Sequence, residues 1–568
     1  MSEGVQEGMK KTLLVVAVVL VAQLLPHIAS TASTPSNQII GMSLTEGDSL
    51  QTSLSHITAR TSNSRSGFGI ICDGLDDPDC VGKDLNIRSF LLPCSDQATI
   101  ACIKEVYAES EDGAKVVARF IRSVSTSARY DFKENLERGV VAGSGTGGLW
   151  EFPGLVHGGG NSTYGVQARL EGAVFPGNQT DSVYNQIEFG IAAVREVAGT
   201  YIQNTVEYWA GTPDDQIRGW NTIGANGRPD YKCVMTDVGR CYERSTFPPG
   251  YRLGMVVLVP KELSGWFHGR IYSPEITITK VDRGYEYTIE ARPVKVPFIR
   301  EEIRSSSWSK ELVDYVNANF TCNPEGDCSN TGGGLMMPGN SGPQSFDLTR
   351  LFLPVTKDKS SGTGDYWSIR TLQMFGEGVN PGLLQSCSTN ASSVSGIVTT
   401  NSMVYSAGPP IYNPESSSLD YKVLSPHYNE KGEENFGSYD LLLDSKVARC
   451  IYKFTDAPIK AEIEIFGSDG SNRVATTVIG ERNGWLFMSA NGFTYSEPTV
   501  RIKLTQEPPK PEPTPTPTVS PTPTPSPETS PIAAVTPKPS KKSVTCVKGK
   551  TTKKFGGAKC PKGWKKKA

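Results

Sequence analysis

A chain of 568 residues, 37% hydrophobic and 20% charged, is too long for one core and has the balance of a folded protein, so up to three or four domain-sized units are expected. The formal net charge of −2 hides a segregation: residues 541–568 hold 11 Lys and no Asp or Glu, and the other 540 residues carry 46 positive against 59 negative charges, a net of −13. Such a layout speaks about partners and solubility, not about fold.

The chain opens with a short polar stretch, then Lys10-Lys11, an apolar run from Thr12 to Leu25, and small residues up to Ser33. This is the pattern of a secretory signal, expected over residues 1–32 with cleavage near Ala32; Met9 would serve equally well as the initiator. The run is shorter than the roughly 20 apolar residues a membrane helix wants. Residues 34–70, rich in Ser, Thr and Asn, read as a loose lead-in. The loop from Cys72 to Cys80 follows, with Asp73, Asp76, Asp77 and Asp79 as candidate oxygen ligands for Ca²⁺, although the spacing is not that of an EF-hand and a solvated acidic turn explains it as well.

From Ser89 onward, short apolar runs alternate with Gly, Asn, Asp and Pro. Tyr285–Arg292 alternates with period two and pairs plausibly with Glu275–Val281 across Asp282-Arg283-Gly284. Leu253–Val259 reads as a strand buried on both faces, and strand signals recur at Ala461–Phe466, Gly484–Met488 and Thr499–Leu504. Val183–Val197 fits helix and strand alike. One helix is expected at Ser309–Phe320, with Leu312, Val313, Val316 and Phe320 on one side. The fold class is therefore mainly β with few helices: two β-sandwich-like units, 33–300 and 301–506, divided near residues 300–308. Residues 507–540 contain 13 prolines and read as a disordered, extended Pro/Thr-rich linker that can hold its ends up to ~100 Å apart. Residues 541–568 form a small Lys-rich tail.

Twelve cysteines fall into local pairs: Cys72/Cys80, Cys94/Cys102 and Cys233/Cys241 eight apart, Cys322/Cys328 six apart, then Cys387/Cys450 and Cys546/Cys560. No CxxC occurs and no His sits beside a pair, so disulfides formed in an oxidising compartment are expected rather than zinc.

No catalytic residue and no organic cofactor is nominated. The histidines after the signal, His56, His157, His268 and His427, include no HExxH-type pair. Gly339-Asn-Ser-Gly-Pro343 lacks the aspartate of a serine-protease segment, and Gly143–Gly148 lacks the GK[ST] of a phosphate loop. Glycoside hydrolysis needs two placed carboxylates, and Glu301-Glu302, Asp214-Asp215 and Glu433-Glu434 read as solvated charge. Trp150, Trp209, Trp220 and Trp367 are expected mostly in the core.

The tail needs no fold to act. Lys541, Lys542, Lys548, Lys550, Lys553, Lys554, Lys559, Lys562, Lys565, Lys566 and Lys567 should seek an anionic cell-envelope polymer or surface, at about 1 kcal/mol for each Lys that reaches it. Nucleic acid is the lesser candidate, since only Phe555 and Trp564 could stack on bases. The stretch TCVKGKTTKKFGGAKCPKGWKKK resembles a Lys-rich, two-cysteine tail found behind Pro/Thr linkers on uncharacterised secreted proteins of Actinobacteria. SGWFHGRIYSPEIT (264–277) and NGWLFMSANGFTYSEPTVRIKL (483–504) are similar to segments of the same group. The resemblance implies export and a β-rich body, and brings no catalytic residue or ligand. The expected function is a secreted, envelope-associated binding or structural protein; the alternative is an extracellular hydrolase acting on polysaccharide or peptide.

Overall fold

The computed structural model describes most of residues 39–506 and, of the C-terminal stretch, 543–548, 551–556, 560–562 and 564–566. The longest segments outside the description are 1–38, 209–216, 222–232, 321–330, 373–385 and 507–542, so the expected signal and the linker lie outside the described residues. Contacts divide the chain into two compact units, Met1–Pro508 and Pro509–Ala568.

The first unit is mainly β. Its principal strands are β1 Gly41–Leu44, β2 His56–Arg60, β3 Leu85–Phe90, β4 Cys102–Ser110, β5 Thr163–Val174, β6 Tyr184–Ala198, β7 Tyr251–Val259, β8 Gly265–Val281 and β9 Gly284–Glu301. After helices α1 Lys310–Asn319 and α2 Pro343–Phe352 come β10 Gly362–Leu372, β11 Val394–Thr400, β12 Ser418–Leu424 and β13 Phe436–Asp444. Helix α3 Ser445–Tyr452 then leads to β14 Ile459–Phe466, β15 Thr476–Arg482, β16 Trp485–Thr494 and β17 Thr499–Gln506. Ten strands make one sheet in the order β2-β3-β5-β6-β10-β8-β11-β13-β16-β15, antiparallel except where β8 lies parallel to β11.

Two further sheets pack on opposite faces of this one. On the first face lies the sheet β4-β7-β9-β8, in which only the second half of β8 takes part. The core between them joins Ile87, Leu170, Phe189, Phe267 and Ile369 to Val106, Met255, Tyr287 and Ile289. On the other face β12-β17-β14, with α3, covers β11, β13 and β16, and joins Leu419, Tyr421, Val500 and Ile502 to Val398, Leu441 and Met488. A third core holds β1, α1 and α2 together through Met42, Leu312, Val316 and Phe352.

Two sandwich-like packings therefore exist, but they share a sheet instead of following one another. No boundary falls at 300–308: β9 runs through to Glu301 and pairs with β10, while β6 and β8 pair with β10 and β11. Without these later strands, the central backbone amides and carbonyls would lack partners. The supposed lead-in also supplies strands, because the few apolar residues of 34–70 are well used: Met42, Leu44, Ile57 and Ala59 are buried. β1 pairs with Ile299–Glu301, and β2 with β3.

Local chemistry explains the elements that alternate. Tyr287, Ile289 and Ala291 are buried while Glu286, Thr288, Glu290 and Arg292 are less so. The hairpin turns at Asp282-Arg283, with Val281 opposite Gly284. Gly284 has φ +146°, and a Cβ there would stand 2.1 Å from the Val259 carbonyl oxygen, so no larger residue fits. Helix α1 starts where Ser309 Oγ accepts from the Leu312 amide at 3.2 Å. The ambiguous Val183–Val197 is strand β6; Ile187–Val194 are all buried, which erases the alternation a half-exposed strand would show.

Candidate functional site

The shared sheet carries a row of polar side chains on the face that β12-β17-β14 covers only in part. Register places His56 opposite Arg88, Arg88 opposite Glu171, Arg169 opposite Glu188, Glu188 opposite Arg370, and Arg370 opposite His268. The next residues in the row are Val398, Leu441 and Met488, beneath the covering sheet. Charge gives way to hydrocarbon where a third layer arrives. Arg169 bonds Glu188 at 2.7 Å and Glu171 at 3.3 Å, and Arg88 bonds Glu171 at 3.0 Å. At the other end Arg270, 1% exposed, pairs with Glu46 and donates to the carbonyls of Thr400 and Ser402 at 2.9 and 2.6 Å. Its guanidinium lies 4.4 Å from the Tyr405 ring, on which His268 stacks at 4.0 Å. Burial, then Arg270 and Arg370, hold His268 well below its ordinary pKa, so it is neutral. Every carboxylate here has an arginine partner, and Arg370 donates to the Tyr405 hydroxyl at 2.8 Å, which suits a structural network.

A different arrangement occurs on the opposite face of the same sheet. β8 leaves the first sheet for the second at an irregular step between Tyr272 and Glu275, where Ser273 takes φ +50°. The step frees the Ser273 amide, which donates to Asp440 Oδ2 at 2.7 Å. Asp440, 3% exposed, also accepts from Thr399 Oγ1 at 3.1 Å and from the Ser489 hydroxyl, itself an acceptor from Asn491 Nδ2 at 2.8 Å. None of these partners is a cation. Burial pushes the Asp440 carboxyl above its usual range, and its hydrogen bonds hold it back. Asp365 is likewise raised by burial, but Lys295 and Arg244 stand near enough to oppose the rise.

Beside Asp440 a cleft of about 330 Å³ opens between the step in β8 and strands β13, β16 and β15, lined by Tyr272, Pro274, Leu442, Phe487 and Ser489 among others. A mostly apolar wall with a few convergent polar groups is the usual form of a small-ligand site. Segments 264–277 and 483–504, singled out in the sequence, supply opposite walls of it. Its rim charges are committed: Glu481 to Arg449 at 3.1 and 3.4 Å, and Arg482 to Glu275 at 2.8 Å with its guanidinium 4.4 Å from the Phe487 ring. Register sets Glu481 opposite Leu486, on the other face of the sheet from Ser489 and Asp440.

The residues expected to matter are placed as follows. Five cysteine pairs are disulfides as expected: Cys72–Cys80, Cys94–Cys102, Cys233–Cys241, Cys387–Cys450 and Cys546–Cys560. The sixth expected bond, between Cys322 and Cys328, is not among them: Cys322 and Cys328 both lie outside the described residues. In the acidic loop, Asp77 uses both carboxylate oxygens on backbone amides, accepting from Asp73 and Asp79 at 2.9 Å each, and Asp73, Asp76 and Asp79 are exposed. No group of three or more His, Cys, Asp or Glu converges among the described residues. His56 Nδ1 contacts the Leu54 carbonyl at 3.0 Å, and His157 Nδ1 accepts from the Gly159 amide at 2.9 Å. His427 meets Asp358 at 2.5 Å. Trp150 and Trp367 are core residues; Trp209 and the Asp214-Asp215 pair lie outside the described residues. Asp440 carried no sequence signal, and Tyr272 and Ser489 none beyond lying in the two singled-out segments, since the relation of the three exists only through strand pairing.

The second unit is a small sheet. Strands β18 Ser543–Lys548, β19 Thr551–Gly556 and β20 Lys565–Lys566 pair in the order β19-β18-β20 around the buried Cys546 and its bond to Cys560. Lys553 and Lys566 stand opposite Cys546 on its two sides, Lys554 opposite Thr545, and Lys565 opposite Val547. Opposite residues share a face and successive ones alternate, so lysine positions fall on both faces. Lys562, Lys565 and Lys566 are exposed. Lys541, Lys542, Lys550, Lys559 and Lys567 lie outside the described residues.

No helix among the described residues is long and apolar enough to cross a membrane. Comparison of the chain with protein-family models, with curated proteins and with solved structures returns no match.

Proposed function

We propose that this chain is a secreted, cell-envelope-associated binding protein whose C-terminal module holds it to an anionic envelope polymer, in the manner of the actinobacterial proteins its tail resembles. One observation carries the reading: 11 Lys and no acid within residues 541–568, with Lys548, Lys553, Lys554, Lys565 and Lys566 on a disulfide-closed sheet, while the other 540 residues have a net charge of −13. The closed sheet keeps the cations together, so less entropy is lost when they meet a polyanion. At about 1 kcal/mol per Lys engaged, half of them would hold the protein in place at physiological salt. The disulfides of the body agree with an oxidising destination.

The test is retention on isolated actinobacterial cell walls. The full chain should bind and elute as salt rises from about 0.05 M to about 1 M. A chain ending at residue 540 should pass through unretained. Walls stripped of their phosphate polymers should lose the full chain. Equal retention of the shortened chain would overturn the role of the tail.

A further inference from the structure

The geometry points to a binding site for an organic cation, a primary ammonium or guanidinium group, in the cleft between the step of β8 and strands β13, β16 and β15, with Asp440 as its counter-ion and Tyr272 and Phe487 as aromatic flanks. What marks the cleft is a missing charge. A buried carboxylate is ordinarily paired with a cation or neutralised by a proton. Across the shared sheet this rule is obeyed: Glu188 and Glu171 have Arg169, and Glu46 has Arg270. Asp440 has only two hydroxyls and one amide. It lies beside an open cleft and not inside a closed core, so a positive group can be delivered from solution.

The neighbours decide the class of ligand. The charged groups at the rim, Glu481, Arg482 and Glu275, are bonded to Arg449 or to each other; Arg252 and Arg292, which flank the step, are bonded to Glu290 and Glu111; and Tyr272 is pushed above its ordinary pKa by burial and by Asp440, against Arg292, so it stays neutral. An anion would face an uncompensated acid. A neutral polyol would leave the charge unanswered. A cation answers it and is attracted to the negative faces of the rings, as Arg482 already is to Phe487. The cleft volume of about 330 Å³ admits one amine side chain and excludes a folded partner.

Binding to the full chain, measured by calorimetry, should separate charge from shape and source. Butylammonium is compared with butanol, its neutral isostere, and Nα-acetyl-lysine amide with Nα-acetyl-norleucine amide, so that free amines and lysyl peptides are read apart. The cationic member of either pair should bind at least about tenfold tighter near neutral pH. That preference should fade on acidification as Asp440 takes up a proton, and vanish in Asp440→Asn. Gly480, at the cleft, would place a Cβ with nothing within 4 Å, so Gly480→Phe should fill the space and block binding with the fold intact, even where Asp440→Asn fails to fold. Equal affinity for charged and neutral members, no binding of either, or an undiminished preference in both variants would each overturn the site. Because the tail is untouched, loss of this site leaves wall retention unchanged, and loss of retention leaves this site standing.

Discussion

His56 sits between the Leu54 carbonyl and the Arg88 guanidinium, 8% exposed, and its pKa is lowered to about 4, first by burial and then by Arg88. The unfolded chain therefore binds a proton at this residue between its ordinary value and about 4, where the folded protein does not. Stability from His56 is complete above about pH 6.5 and drains away as pH falls towards 4, by about 3 kcal/mol in all. His268 acts in the same direction. Asp440 and Asp365, both raised by burial, act oppositely: the folded protein takes their protons first, which favours it as pH falls. Comparing His56→Gln with the parent isolates the one term. Between pH 6.5 and 4 the parent should lose about 3 kcal/mol more than the variant in denaturant titrations. Parallel curves would show that His56 charges freely in the folded state.

At the level of elements, the disulfides of the first unit divide into two kinds. Three of them close loops of sequence separation 8, whereas Cys387–Cys450 spans 63 residues and ties the segment before β11 to helix α3. Chain entropy assigns roughly 2–3 kcal/mol to a short loop and about 4 kcal/mol to the long one. Replacing Cys387 and Cys450 by Ala should therefore lower the denaturation midpoint more than replacing Cys72 and Cys80; the reverse order would place the stabilisation in local packing. The short pairs were legible in the sequence because proximity along the chain guarantees proximity in space. β9 was legible because one of its faces is buried and the other is not. β6 was not, being buried on both. The polar row was hidden for a related reason: Glu188 and Arg370 look like solvent-facing strand residues until each is set beside the other, about 180 positions away, and Arg169 until it meets Glu188 on the neighbouring strand. Asp440 was one of 59 acids, distinguished only by the bend in β8 that aims an amide at it.

Over the whole body, three layers share one middle sheet, and that sheet is stitched from both halves of the sequence. Cutting at residue 300 strands β6 and β8 without β10 and β11. The fragment 34–300 should accordingly be insoluble or lack protected amides in hydrogen exchange, while 34–506 unfolds in one cooperative transition. A soluble, protected 34–300 fragment would mean that the second sheet can close a core unaided.

The parallel contact between β8 and β11 adds something further. Parallel neighbours cannot meet through a tight turn, and here Trp266 waits for Gly396, some 130 positions on. High contact order slows folding, because loop closure costs entropy before any pairing offsets it. The polypeptide therefore stays pliable until most of the body has been synthesised, and its three layers harden together and late.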